Sequence, residues 1–64
     1  MDYGKHIKQL RNEAGMTQAQ LAEASGIRQS TISMIETGVN TPNVKTADKI
    51  ARALGVTLND LMPD

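Results

Sequence analysis

Apolar residues recur along this chain at helical spacing, and no stretch alternates as a strand would. Tyr3, Ile7, Leu10 and Ala14 stand four, three and four positions apart, which is one face of a helix over about Asp2 to Ala14. Asp2 suits its N-cap and Gly15 its left-handed end. Thr17-Gln18-Ala19-Gln20 reads as a capping box, with Met16 and Leu21 as the hydrophobic staple across it. The helix that follows runs from Gln18 to Ser25, with Leu21 and Ala22 inward, and Gly26 stops it. A third helix begins near Arg28 or Gln29. Ile32 and Ile35 face inward, Gln29, Ser30, Ser33 and Thr37 face the other way, Met34 sits at the edge, and Gly38 ends it. Val39 to Asn43 is a loop, because Pro42 disfavours helix at the residue before it. Asn43 then caps a fourth helix whose apolar stripe is Val44, Ala47, Ile50, Ala51 and Leu54. Lys45, Asp48, Lys49 and Arg52 lie outside that stripe, and Gly55 closes it. Thr57 to Asp60 offers a second capping-box-like start, for a last short helix carrying Leu58, Leu61 and Met62.

The expected fold is therefore all-α: five short helices around one aliphatic core, in a single domain spanning residues 1–64. None of these helices is long enough to be stable alone in water. A chain of 64 residues buries only about 60% of its unfolded surface, so the core is marginal. There is no Cys, so neither a disulfide nor a thiolate zinc site reinforces it, and this fits a cytoplasmic protein. No apolar run approaches the ~20 residues of a membrane span, and the amphipathic N-terminus does not read as a signal peptide.

Charge changes the picture. Seven Lys and Arg balance seven Asp and Glu. Phosphate contacts supply most non-specific affinity for nucleic acid, and binders usually carry a basic excess. A neutral chain that binds DNA must do so with modest affinity and a shallow salt dependence.

The stretch from Thr17 to Gly38 is nevertheless built for a groove. Two short helices joined across Ser25-Gly26-Ile27 form a helix-turn-helix. Ala22 is small enough for a close crossing, Gly26 permits the turn, and Ile27 and Ile32 pin both sides. The outward face of the second of these helices is short, polar and uncharged. Gln29, Ser30 and Ser33 suit base edges, since Gln pairs bidentately with adenine and Ser serves several bases. The N-termini of both helices expose amides that favour phosphate.

At this point the chain resembles the lambda-repressor and Cro type of helix-turn-helix domain, also called the xenobiotic-response-element family. The matching elements are Gly15 to Ala22, Gly26-Ile27, Ile32 to Gly38, Pro42, and Ile50 to Val56, in register over nearly the whole chain. The resemblance implies that Arg28, Gln29, Ser30, Ser33 and Met34 face the major groove of double-stranded DNA. It implies that Thr17, Gln18, Thr37, Asn40, Thr41 and Asn43 lie along the DNA backbone. It also implies an Arg11–Glu36 ion pair tying the first helix to the third, and a homodimer interface near Val56, Leu58 and Met62, on a palindromic operator. The chain departs from the family where Val39 and Asn40 replace the usual Lys or Arg, and where Met34 replaces a polar or basic residue. Both departures weaken the phosphate contribution more than groove placement.

Other readings are weaker. His6 has no second imidazole or thiolate beside it, so no metal site is expected, and nothing points to a cofactor or a small-molecule ligand. Lys5, Lys8 and Arg11 read equally well as a phosphate patch or a solvated face. No nucleophile–base–carboxylate set appears, so an enzyme is not expected. The expectation is a transcriptional regulator, a repressor. The alternative is a protein-interaction module on the same fold, an antitoxin or adaptor.

Overall fold

The structure is a computed structural model and describes residues 3–61. It contains five helices in that span: α1 (Tyr3–Glu13), α2 (Gln18–Ser25), α3 (Gln29–Glu36), α4 (Val44–Leu54) and α5 (Leu58–Leu61), with no strand among the described residues. The expected N-cap Asp2 and the expected interface residue Met62 lie outside the described residues.

Local hydrogen bonds set the boundaries. At α2 the Thr17 hydroxyl accepts from the Gln20 amide at 3.1 Å, and the Gln20 side-chain oxygen accepts from the Thr17 amide at 2.8 Å. Gly26, at φ 72°, ends the helix and donates to the Ala22 carbonyl at 2.9 Å. Asn43 caps α4 by accepting from the Thr46 amide at 2.8 Å. Thr57 and Asp60 form the reciprocal pair that starts α5, each bond 3.1 Å. Hydrogen bonding to Thr57, that of its backbone amide foremost, holds the Asp60 carboxyl below its ordinary value.

Ile7, Leu21, Ile32, Ile35, Ile50 and Leu61 are fully buried, with Ala47 and Ala51 filling between them. α1 packs on α3 and α5, α2 on α3 and α4, and α4 on α5. The α2–α3 unit is thus backed on one side by α1 and on the other by α4. His6 Nε2 donates to the Asp60 carbonyl at 2.6 Å and joins the first helix to the last.

Two expectations from the apolar pattern are corrected. Ala14 is exposed, because α1 stops at Glu13 and Ala14 belongs to the turn that follows. Val44 is 69% exposed, because the first residue of α4 lies beyond the part of the stripe that the other helices cover. Gly4 is buried instead: α1 crosses the end of α3 so closely that a Cβ there would collide with the carbonyl groups of Ile35 and Glu36.

Candidate nucleic-acid interface

The eight residues of α3 divide by side. Ile32, Ile35 and Glu36 are buried, while Gln29, Ser30 and Met34 are exposed, as is Thr37 just beyond. Ser30, Met34 and Thr37 follow one another at helical spacing and form the solvent ridge. Gln29 and Ser33 flank it, Ser33 half-buried rather than fully outward. Arg28 is exposed and stands in extended conformation at the N-cap, with no side-chain capping bond. The turn before it is held by the Ile27 amide, which donates to the Ala22 carbonyl at 3.2 Å and the Ser25 hydroxyl at 3.3 Å.

Arg11 and Glu36 meet inside the domain, each only 8% exposed. Arg11 Nε donates to Glu36 Oε2 at 2.7 Å, Nη2 to Oε1 at 3.1 Å, and Nη1 to the Met16 carbonyl at 2.7 Å. The guanidinium therefore grips the end of α3 and the residue before the α2 capping box at once. Burial disfavours charge on Glu36. The hydrogen bonds from Arg11 and Gln18, with the charges of Arg11 and Lys8, outweigh it and hold this carboxyl below its ordinary value. The bond to Glu36 raises Arg11 above its own.

Gln18 belongs to this network. It is half-buried, and its Nε2 donates to Glu36 Oε1 at 3.1 Å. The resemblance alone implied a DNA-backbone position for this residue; the amide has a second hydrogen to offer there. The α2 capping box engages the amides of Thr17 and Gln20, which leaves those of Gln18 and Ala19 at the helix start without a backbone partner. Asn40, Thr41 and Asn43 are exposed along the α3–α4 loop, with the Asn43 side-chain oxygen already occupied by its capping bond. Backbone bonds fasten the loop to the end of α3: the Met34 carbonyl accepts from the Val39 amide at 2.9 Å and the Asn40 amide at 3.1 Å, as well as from the Thr37 hydroxyl at 3.2 Å. That fastening had no signal in the sequence. Val56 and Leu58 are half-buried against the core, away from the α3 ridge in the chain.

The described residues enclose no pocket and bring together no group of three or more His, Cys, Asp or Glu side chains. Among them no helix is long and apolar enough to cross a membrane. What the arrangement offers is a convex polar ridge on a rigidly backed helix.

The Helix-turn-helix family profile matches residues 7–61. An HTH-type transcriptional regulator of Archaeoglobus fulgidus is 40% identical over 55 residues, covering 86% of this chain and 79% of that protein. The biofilm regulator SinR, solved in complex with DNA, superimposes with a TM-score of 0.90 at 34% identity, covering 95% of this chain and 98% of the solved one. The restriction-modification controller protein C.AhdI of Aeromonas hydrophila gives 0.92 at 28% identity, covering 95% and 92%. With the fold, the helix-turn-helix and the matched length in agreement, this chain belongs to the lambda-repressor-like helix-turn-helix family of transcriptional regulators.

Proposed function

We propose that this domain binds double-stranded DNA in a sequence-specific manner and represses transcription, acting in the cytoplasm as a homodimer on a palindromic operator. The observation that carries the reading is the α3 ridge. Its side chains are exposed and uncharged, and all but Met34 are polar, on a helix whose opposite side is locked by Ile32, Ile35 and the Arg11–Glu36 pair. A reading helix needs that rigidity, since base-edge hydrogen bonds tolerate little displacement. Arg28, Gln29, Ser30, Ser33 and Met34 take the major groove. The Gln18 and Ala19 amides receive a phosphate at the α2 N-terminus, where the helix dipole favours negative charge. Thr17, Gln18, Thr37, Asn40, Thr41 and Asn43 line the flanking backbone. Residues around Val56, Leu58 and Met62 meet their copies across the two-fold axis, placing two reading helices ~34–36 Å apart. SinR, a relative with this fold, is bound to DNA in its solved complex.

Zero net charge makes the base contacts carry more of the affinity than in a basic relative. The test is selection from a random duplex pool, followed by binding of the selected site against random duplex at one salt concentration. A palindromic motif is expected, and Gln29→Ala should cost ~1–3 kcal/mol at one base position only. No preference at low salt, with a stoichiometric protein partner recovered instead, would replace this reading by an interaction module.

A further inference from the structure

Met34 is the apolar member of an otherwise polar ridge. It stands between Ser30 and Thr37 and is 38% exposed. It is also the ridge residue to which the α3–α4 loop is tied. Besides the three donors on its carbonyl, its Sδ receives the side-chain amide of Asn40 at 3.9 Å. A methionine side chain has three rotatable bonds and ordinarily adapts to whatever it meets. Here both the backbone and the sulfur are held by the same short loop. A flexible apolar group has been given a fixed place on a surface that would otherwise read only hydrogen bonds.

The major groove presents one apolar group, the C5-methyl of thymine; the other base edges there present donors and acceptors. A thioether is only a weak acceptor and no donor, so it cannot match those edges. It can bury a methyl group. We infer that Met34 determines specificity by packing on a thymine methyl, and that Asn40 is a positioning residue that holds the thioether for it. This rests on α3 being the groove helix. It adds an assignment for the loop: the residue that replaces a family cation has a task in base selection, separate from any phosphate contact.

The experiment uses the full chain and the operator obtained by selection. Each thymine is replaced in turn by deoxyuridine, which removes only the methyl. Affinity should fall about fourfold at one thymine per half-site, the free energy of burying one methyl group, and stay level at the others. In Met34→Ala the thymine-to-uracil ratio at that position should drop to about one, with the folded state unchanged by circular dichroism because the side chain is exposed. In Asn40→Ala the same ratio should fall part of the way, and the double variant should match Met34→Ala. A loss in Asn40→Ala that is uniform across sequences, with the ratio unchanged, would refute its positioning role. An operator that binds well but ignores every uracil, or a uracil effect that survives Met34→Ala, would overturn the inference while leaving groove binding intact. Failure to select any operator would overturn both.

Discussion

Replacing Gly4 with alanine probes the close crossing of α1 over the end of α3. A Cβ at this position would lie 2.8 Å from the Glu36 carbonyl oxygen and 2.9 Å from its carbon, and nearer still to the Ile35 carbonyl oxygen. Comfortable separations for such atoms begin at about 3.5 Å. All three neighbours are backbone, so no change of rotamer clears the space, and α1 must move outward by roughly an ångström. Overpacking costs about 1–3 kcal/mol, and rigid backbone places this case near ~3. The shift also stretches the 2.7 Å bond between Arg11 and Glu36, at a cost of about 1 kcal/mol. Alanine's better helix propensity returns about 1 kcal/mol. The net loss is then ~3 kcal/mol, against a total stability of roughly 3–10 kcal/mol for a domain of this length. Thermal melts followed by circular dichroism should show Tm falling by about 12–24 °C. Asn12→Ala, at an exposed position on the same helix, serves as the control and should leave Tm level or slightly raised. A Gly4→Ala protein that melts at or above the wild type would refute the reasoning. It would mean that helix propensity outweighs the crossing and that α1 stands further from α3.

Two further outcomes follow from the buried pair. Arg11→Ala should cost about 3–5 kcal/mol in urea titration, because Glu36 is left charged without its partner, whereas Arg11→Met with Glu36→Leu should recover much of that loss; a single-variant cost below ~1 kcal/mol would contradict the burial. The pH dependence has a definite sign: Glu36 is held below its ordinary value, so its stabilisation is complete above the unfolded value near 4.5 and is lost as pH falls through the lower folded value. Melting at pH 6 and at about pH 3 should show that loss, and the Met/Leu double variant should show less of it, with the remainder including Asp60, which is depressed in the same direction.

The elements most legible in the sequence are those closed within four residues. The Thr17–Gln20 capping box, the Asn43 cap and the glycines at 26 and 55 each satisfy neighbouring backbone groups, so a short window contains the whole cause. Ile32 and Ile35 were equally legible, since spacing alone puts them on one side of α3. Ala14 and Val44 show where spacing fails: a stripe continues in the sequence past the point where another helix covers it. Gly4, the His6 bond to the Asp60 carbonyl, and the Asn40 contact with Met34 depend on how separate segments meet. A glycine near a chain start or an asparagine in a loop carries no mark of such a meeting. Gln18 is intermediate, since its place at the α2 start was readable but its bond to Glu36 was not.

The division of α3 into two sides also bears on how such a domain can diverge. Ile32, Ile35 and Glu36 carry the attachment to the rest of the molecule, and Gln29, Ser30 and Met34 carry none of the core. Exchanging the second set leaves folding nearly untouched, so, on the proposed reading of α3 as the groove helix, a duplicated copy can drift from one operator to another without passing through an unfolded ancestor. The reverse holds as well. A lineage can lose its address entirely while every measure of stability stays normal, and only its regulated promoters would register the change.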